Sequence, residues 1–303
     1  MVQSALAFCD YVSRRKYPMA NKTFKKVVSG ALAVCATVAS LGLFTACETN
    51  HPAVEMQIEF NDVTYYLNYT LYRKVAPNTV KHFIALAENG YYDNLCVHDY
   101  SSSKWYTGAY SYDAAAESLQ YKAYYDVVKT YANFPVSVWT DSNMQNPTYT
   151  LYGEFADNDF VVQNGAKKET FGSLTMYYSH KDTEGTVVVK RAGGADSEGN
   201  VTASRLYKYN SATSQFYISL SSTAKSNAGY CTFATLDDET PLKDLQAAIT
   251  AYIADTYASE TDDFTADVEM TIDGDDAFVE AEEKTFNCPN KPIIIKKVSV
   301  KRY

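Results

Sequence analysis

Residues 71–99 read LYRKVAPNTVKHFIALAENGYYDNLCVHD, and within this stretch the spacing of the apolar residues changes twice. Up to Tyr72 the pattern is that of a strand. From Pro77 the spacing becomes helical, with Val80, Phe83, Ile84, Leu86 and Ala87 on one side. Pro77 stands near the start of that helix and Gly90 just after its end, where a proline and a glycine suit the two termini. A short apolar run, Leu95-Cys96-Val97, then predicts a second strand.

On the N-terminal side, VEMQIEFNDVTYYLNYTLY (54–72) alternates apolar and polar residues about a turn at Asn61-Asp62, which predicts a hairpin. On the C-terminal side, residues 112–132 predict a second, weaker helix and PVSVWT a short strand. From Thr148 the strand-like runs GSLTMYY, GTVVVKRAG, RLYKYN and SQFYISL follow. PLKDLQAAITAYIADTY returns to helical spacing through Leu242, Leu245, Ile249 and Ile253, and KPIIIKKVSV closes the chain as a strand. Few helices among many short strands predict an α+β, mainly β, domain built on an antiparallel sheet or barrel.

The chain carries 27 Lys+Arg against 36 Asp+Glu. Of these, the first 46 residues hold six basic and one acidic, so 21 basic against 35 acidic remain from Cys47 onward, a net −14. Such a surface repels phosphate backbones and excludes nucleic acid as a partner. Beyond Cys47 only Cys96, Cys231 and Cys288 remain. Their number is odd and their spacing irregular, which argues against a disulfide framework. Cys96 and Cys231 lie in apolar runs as small core residues. No Cys/His cluster has metal-ligand spacing, TIDGDD (271–276) lacks the spacing of a calcium loop, and no cofactor is implied.

MANKTFKKVVSGALAVCATVASLGLFTACETN (19–50) has a basic start, an apolar run and small residues before a cysteine. It resembles a bacterial lipoprotein signal, with Phe44 where that class usually has Leu. The resemblance implies an over-long start at 1–18, a signal peptide at 19–46 and a tether at 47–54 lipidated on Cys47. The protein would then be exported and anchored to the cell membrane on its extracytoplasmic side. Two acyl chains on one cysteine suffice for stable attachment.

The stretch at 71–99 continues through LYGEFADNDF, GSLTM, SQFYISL, YCTFA and the closing KPIIIKKVSV. In this order the segments resemble the cyclophilins, a family of peptidyl-prolyl cis-trans isomerases. The resemblance implies a cyclophilin-like closed antiparallel β-barrel with two covering helices over residues 55–303. Three stretches exceed the family's length, at about 111–146, 179–209 and 256–287, and are expected as insertions. The last is acidic and expected as a solvated face.

Rotation about an X-Pro bond must break amide resonance, a barrier of ~18–20 kcal/mol. A catalyst needs an apolar pocket for the proline ring and a hydrogen-bond donor for the prolyl nitrogen as it loses conjugation. In the family an arginine directly after a histidine supplies the donor. Here the resemblance places His98 and then Asp99 at those positions. An ionised carboxylate only accepts hydrogen bonds, so Asp99 is unsuited to the role, and Lys104 is the candidate replacement donor. Trp105 and Thr107 fall at the family's Met and Gln. Met176, Tyr177, Gln215, Phe216, Tyr217 and Tyr230 complete the implied substrate pocket, with bulky Tyr177 where a small residue is usual. Arg191 and Arg205, in the second expected insertion, are further candidate cations for the groove.

Two readings follow. The first is a monomeric, membrane-anchored isomerase of weak activity on X-Pro bonds of unfolded exported proteins. The alternative is a catalytically lapsed relative that binds proline-containing or extended peptides. They differ in whether the groove is open and whether a cation lies within reach of its floor.

Overall fold

The computed structural model describes residues 49–158, 166–178, 185–191, 193–207, 210–225, 229–257, 263–272 and 281–303. Cys47 and the signal-like segment lie outside these residues, as does most of TIDGDD. Thr49–Tyr303 forms one compact unit.

In chain order the strands are β1 (Ala53–Phe60), β2 (Val63–Leu71), β3 (Leu95–Cys96), β4 (Asp99–Tyr100), β5 (Lys104–Thr107), β6 (Tyr110–Asp113), β7 (Ser118–Tyr121), β8 (Val138–Trp139) and β9 (Leu151–Tyr152). They continue as β10 (Leu174–Tyr178), β11 (Gly185–Lys190), β12 (Thr202–Tyr207), β13 (Asn210–Ser219), β14 (Thr232–Leu236), β15 (Thr265–Ile272), β16 (Glu282–Pro289) and β17 (Ile294–Arg302). The helices are α1 (Pro77–Glu88), the five-residue α2 (Tyr124–Val128) and α3 (Thr240–Thr256).

The main sheet is antiparallel and runs β4-β5-β13-β10-β14-β2-β1-β17-β3-β6-β7, with β9 added to β13. β1 buries every second residue, Val54, Met56, Ile58 and Phe60, and turns into β2 through Asn61 and Asp62, both at positive φ (48° and 62°). Two consecutive left-handed residues give the hairpin turn whose twist matches the strands. α1 sets Val80, Phe83, Ile84 and Leu86 against the inner face, where Phe83 meets Tyr92, Phe216 and Phe233 at ring-centre distances of 5.0, 5.6 and 5.1 Å. α3 buries Leu242, Leu245 and Ile249.

The strand path is a curled open sheet, since its hydrogen bonding ends on β4 and β7. The closed barrel of the sequence analysis is therefore not what the strand pairing gives. One extended segment nonetheless reaches both sides of the curl: Leu95 and Cys96 pair with Ile295 and Ile294, and three residues later Asp99 pairs with Tyr106.

Residues 112–132 are not one helix: only Tyr124–Val128 is helical, and the first part is a hairpin. β6 and β7 form a hairpin on the sheet edge, and Asp113 Oδ1 accepts the N–H groups of Ala115 and Ala116 in its turn. The helical propensity of the short Ala run yields to edge pairing and to Tyr110, which is fully buried and donates to the carbonyl of Thr271 at 2.6 Å. β8, β11 and β12 make a separate three-stranded sheet, and β15 with β16 a long hairpin. Among the described residues no helix is long and apolar enough to cross a membrane, and no group of three or more His, Cys, Asp or Glu is gathered to hold a metal ion.

Candidate functional site

The segment from His98 to Thr107 folds back on itself through a serine turn. Ser101 Oγ accepts the N–H of Lys104 at 3.0 Å and of Ser103 at 3.3 Å, which sets β4 antiparallel to β5. β5 then pairs with β13 as Thr107↔Phe216, Tyr106↔Tyr217, Trp105↔Ile218 and Lys104↔Ser219, and Tyr217 pairs in turn with Thr175 of β10. Paired residues share a face and neighbours along a strand alternate. One face of this patch therefore carries Asp99, Tyr106, Tyr217 and Thr175 in a row, with Lys104, Gln215, Ser219 and Tyr177 beside them.

The opposite parity sends Trp105, Thr107, Met176 and Phe216 inward. Trp105 (1% exposed) stacks on Tyr100, and Thr107 (fully buried) donates to the Cys96 carbonyl at 2.8 Å. Met176 and Phe216 belong to the main core. Counting along the loop assigned Trp105 and Thr107 to the groove; the pairing puts Tyr106 on that face and these two behind it. The physical reason is the two-residue period of a strand, in which a slip of one position exchanges the faces.

The outer face is covered. Tyr217 is fully buried, and Tyr177 and Gln215 are 7% exposed. Tyr106 packs edge-on against Tyr177 at 5.8 Å and tilted against Tyr217 at 5.2 Å; Tyr230 stands 6.1 Å from Tyr217 on the other side. Lys104 Nζ lies over the Tyr217 ring at 4.0 Å and over Tyr230 at 5.0 Å, a cation on aromatic faces. Burial pushes the Lys104 ammonium below its usual range, and Glu169 works against that shift. Glu169 is itself buried and accepts from Tyr217 Oη and Ser219 Oγ, both at 2.9 Å. Burial, with Glu169 beside it, pushes the Tyr217 phenol up.

The third expected insertion supplies the cover over His98 and Asp99. Asn287 of β16 donates its N–H to Asp99 Oδ1 at 3.2 Å and its side-chain amide to the Tyr100 carbonyl at 2.7 Å. Cys288 Sγ donates to the His98 carbonyl at 3.0 Å. The Phe286 ring packs edge-on against His98 at 4.8 Å, and Lys284 Nζ donates to Tyr177 Oη at 3.1 Å. The described acids of this stretch, Asp263, Asp267, Glu269 and Glu283, are exposed, as a solvated face requires, while Lys284, Phe286, Asn287 and Cys288 of β16 are turned onto the site. Burial, with Lys284 nearby, depresses His98 to about 3, so its imidazole is neutral. Burial raises Asp99 above the usual carboxylate range despite the Asn287 N–H and Lys284, which pull it down.

Arg191 and Arg205 do not approach this patch. They line a separate cleft beside β11 and β12. Cys96, Cys231 and Cys288 are free and buried. Tyr106 was within reach of a sequence argument, since it is two residues from Lys104 on one strand. Glu169, Lys284, Phe286 and Asn287 lie 48 to 188 residues away in sequence from the groups they touch, and no local pattern announces them.

Comparison with known proteins gives one family match, to the family described as cyclophilin type peptidyl-prolyl cis-trans isomerase/CLD, over residues 55–251. The match ends within α3, before the β15–β16 hairpin. Among solved structures, a cyclophilin type peptidyl-prolyl cis-trans isomerase of Cryptosporidium parvum is 16% identical, over 84% of this chain and 99% of its own, with a TM-score of 0.40. The same protein in the presence of the dipeptide Ala-Pro gives 16%, 83% and 99%, with a TM-score of 0.39. The Mimivirus cyclophilin is 16% identical over 68% of this chain and 81% of its own, with a TM-score of 0.33. No curated protein matches the chain.

Proposed function

The chain belongs to the cyclophilin-type peptidyl-prolyl cis-trans isomerase family, and from that membership we propose that it acts on X-Pro segments of exported proteins, with weak turnover, from a membrane anchor on Cys47. The observation that carries the catalytic part is the Lys104 ammonium held 4.0 Å above the ring of Tyr217. A lysine offers three donors, and here they stand over the aromatic surface where the family resemblance puts the proline ring. Lys284 also reaches that face but donates to Tyr177 Oη at 3.1 Å, and Arg191 and Arg205 line another cleft.

Two features keep turnover low. Lysine lacks the planar fork that lets arginine hold a geometry through several bonds at once. The ammonium and the proline ring also compete for one aromatic face, so substrate binding requires the Lys104 side chain to swing aside. The acceptor Asp99 at the family's donor position favours the second reading, a peptide binder without turnover. Asp99 is tied to β16.

Exchange spectroscopy of short X-Pro peptides by NMR tests the choice, with Thr49–Tyr303 and its Lys104→Met and Asp99→Arg variants. Exchange speeded by the native unit and lost in Lys104→Met supports the isomerase. Line broadening of the peptide without faster exchange, and faster exchange only in Asp99→Arg, supports the binder. No interaction with any of the three refutes both. For the anchor, the expected finding is a diacyl mass on a peptide beginning at Cys47; an unmodified chain in the soluble fraction would refute it.

A further inference from the structure

The first and second insertions meet in the small sheet β8–β11–β12, in which Val188 and Val189 pair with Trp139 and Val138. Between this sheet and the first turn of α1 lies a cleft of about 600 Å³, within the roughly 300–1,000 Å³ of small-ligand sites. It shares no lining residue with the Tyr217 patch.

Its charge is the reverse of the chain's. Lys81, Lys190, Arg191 and Arg205 line it, against Glu154 and Asp196. Both acids are already committed. Glu154 is buried and caps α1 from outside the helix, accepting the N–H of Asn78 at 3.0 Å, the N–H of Thr79 at 2.8 Å and the Asn78 amide at 3.0 Å. Asp196 pairs with Arg191 at 2.8 Å and accepts the N–H groups of Glu198 and Asn200. Lys81, Lys190 and Arg205, all exposed, have no acidic partner among the described residues. The floor between them is apolar, from Val136, Val189 and Ala203.

We propose that this cleft binds a short extended peptide rich in Asp and Glu, with its carboxylates on Lys81, Lys190 and Arg205 and one aliphatic side chain on the Val136–Val189–Ala203 floor. Three cations of this kind would serve any polyanion, but two observations select the peptide. Trp139 is only 7% exposed, so it offers no open ring on which a sugar stacks. The net −9 of the whole chain repels a long phosphate backbone, whereas a short segment engages the cleft alone. The inference does not rest on turnover at the Tyr217 patch.

The test is fluorescence anisotropy with Thr49–Tyr303 and a labelled octapeptide alternating Glu and Asp around a central Leu. Its Gln/Asn analogue and a sulfated oligosaccharide serve as competing probes. Binding of the acidic peptide is expected to weaken about tenfold or more in Lys190→Glu and in Arg205→Glu, to weaken with added salt, and to survive in Lys243→Glu. That last residue lies on α3, pairs with Glu239 just before the helix, and its substitution changes the net charge equally. Circular dichroism of each variant confirms that the fold is kept, since all three side chains are exposed. Equal binding of the Gln/Asn analogue, equal loss in all three variants, tighter binding of the oligosaccharide, or no binding of the acidic peptide would each overturn the proposal.

Discussion

The substitution Tyr217→Phe removes one hydroxyl from the aromatic row of the patch and is expected to destabilise this chain. Tyr217 Oη donates to Glu169 Oε2 at 2.9 Å, and Glu169 is 3% exposed, with Ser219 Oγ as its other side-chain donor. Removing the hydroxyl leaves a buried carboxylate oxygen short of a donor. A hydrogen bond to a charged group is worth about 1.5–3 kcal/mol, and in a domain of this size that lowers Tm by roughly 3–10 °C. Urea and thermal unfolding of Thr49–Tyr303 at pH 7 measure the loss. In a Glu169→Gln background the same substitution deletes a bond to a neutral acceptor, so its cost should fall to about 0.5–1.5 kcal/mol. A Tyr217→Phe protein as stable as the parent, or an equal loss in both backgrounds, would refute the reasoning that a buried ion holds this tyrosine in place.

His82 and His98 are buried and depressed to about 3, against 6.5 when free, so their contribution to stability is complete above pH 6.5 and lost as the pH falls toward 3. Between pH 6.5 and 5 each adds a slope approaching about 1.4 kcal/mol per pH unit; His82→Gln should remove about half of the histidine share in urea titrations at several pH values, and an unchanged slope would count against it. Gly108→Ala should cost at least about 3 kcal/mol in unfolding experiments, because φ is +100° and the added Cβ would stand 2.3 Å from the Ser214 carbonyl oxygen; a loss under 1 kcal/mol would mean that β5 and β13 are free to part there. Burial raises all three thiols of the compact unit, Cys288 to about 12, so Thr49–Tyr303 should be inert to a thiol reagent until denatured, and rapid labelling of the native protein would contradict the packing of β16 on His98.

Much of the architecture is legible in short windows of sequence because its causes are local. The Asn61-Asp62 turn, the α1 termini at Pro77 and Gly90, the alternation in β1 and the apolar side of α3 all reflect backbone preferences or periodicities that span a few residues. The first half of the 112–132 stretch misleads for the same reason: its local propensity is helical, but a sheet edge and the burial of Tyr110 are available only once the chain has folded, and the helix forms only at Tyr124–Val128. The loop after His98 shows the limit most sharply. Its order of residues identifies the place of a site, but strand pairing alone decides that Tyr106 faces outward and that Trp105 and Thr107 face the core.

What the amino-acid sequence determined by itself is the set of local elements, the family, and the presence of an acid where the chemistry asks for a cation. What only the tertiary structure decided is how that acid and its neighbours are engaged. Asn287 reaches Asp99 across 188 positions of chain, and Glu169 meets Tyr217 across 48. Contacts of that separation follow from the global burial of apolar surface, which sums over the whole chain, and so leave no periodic trace near either partner.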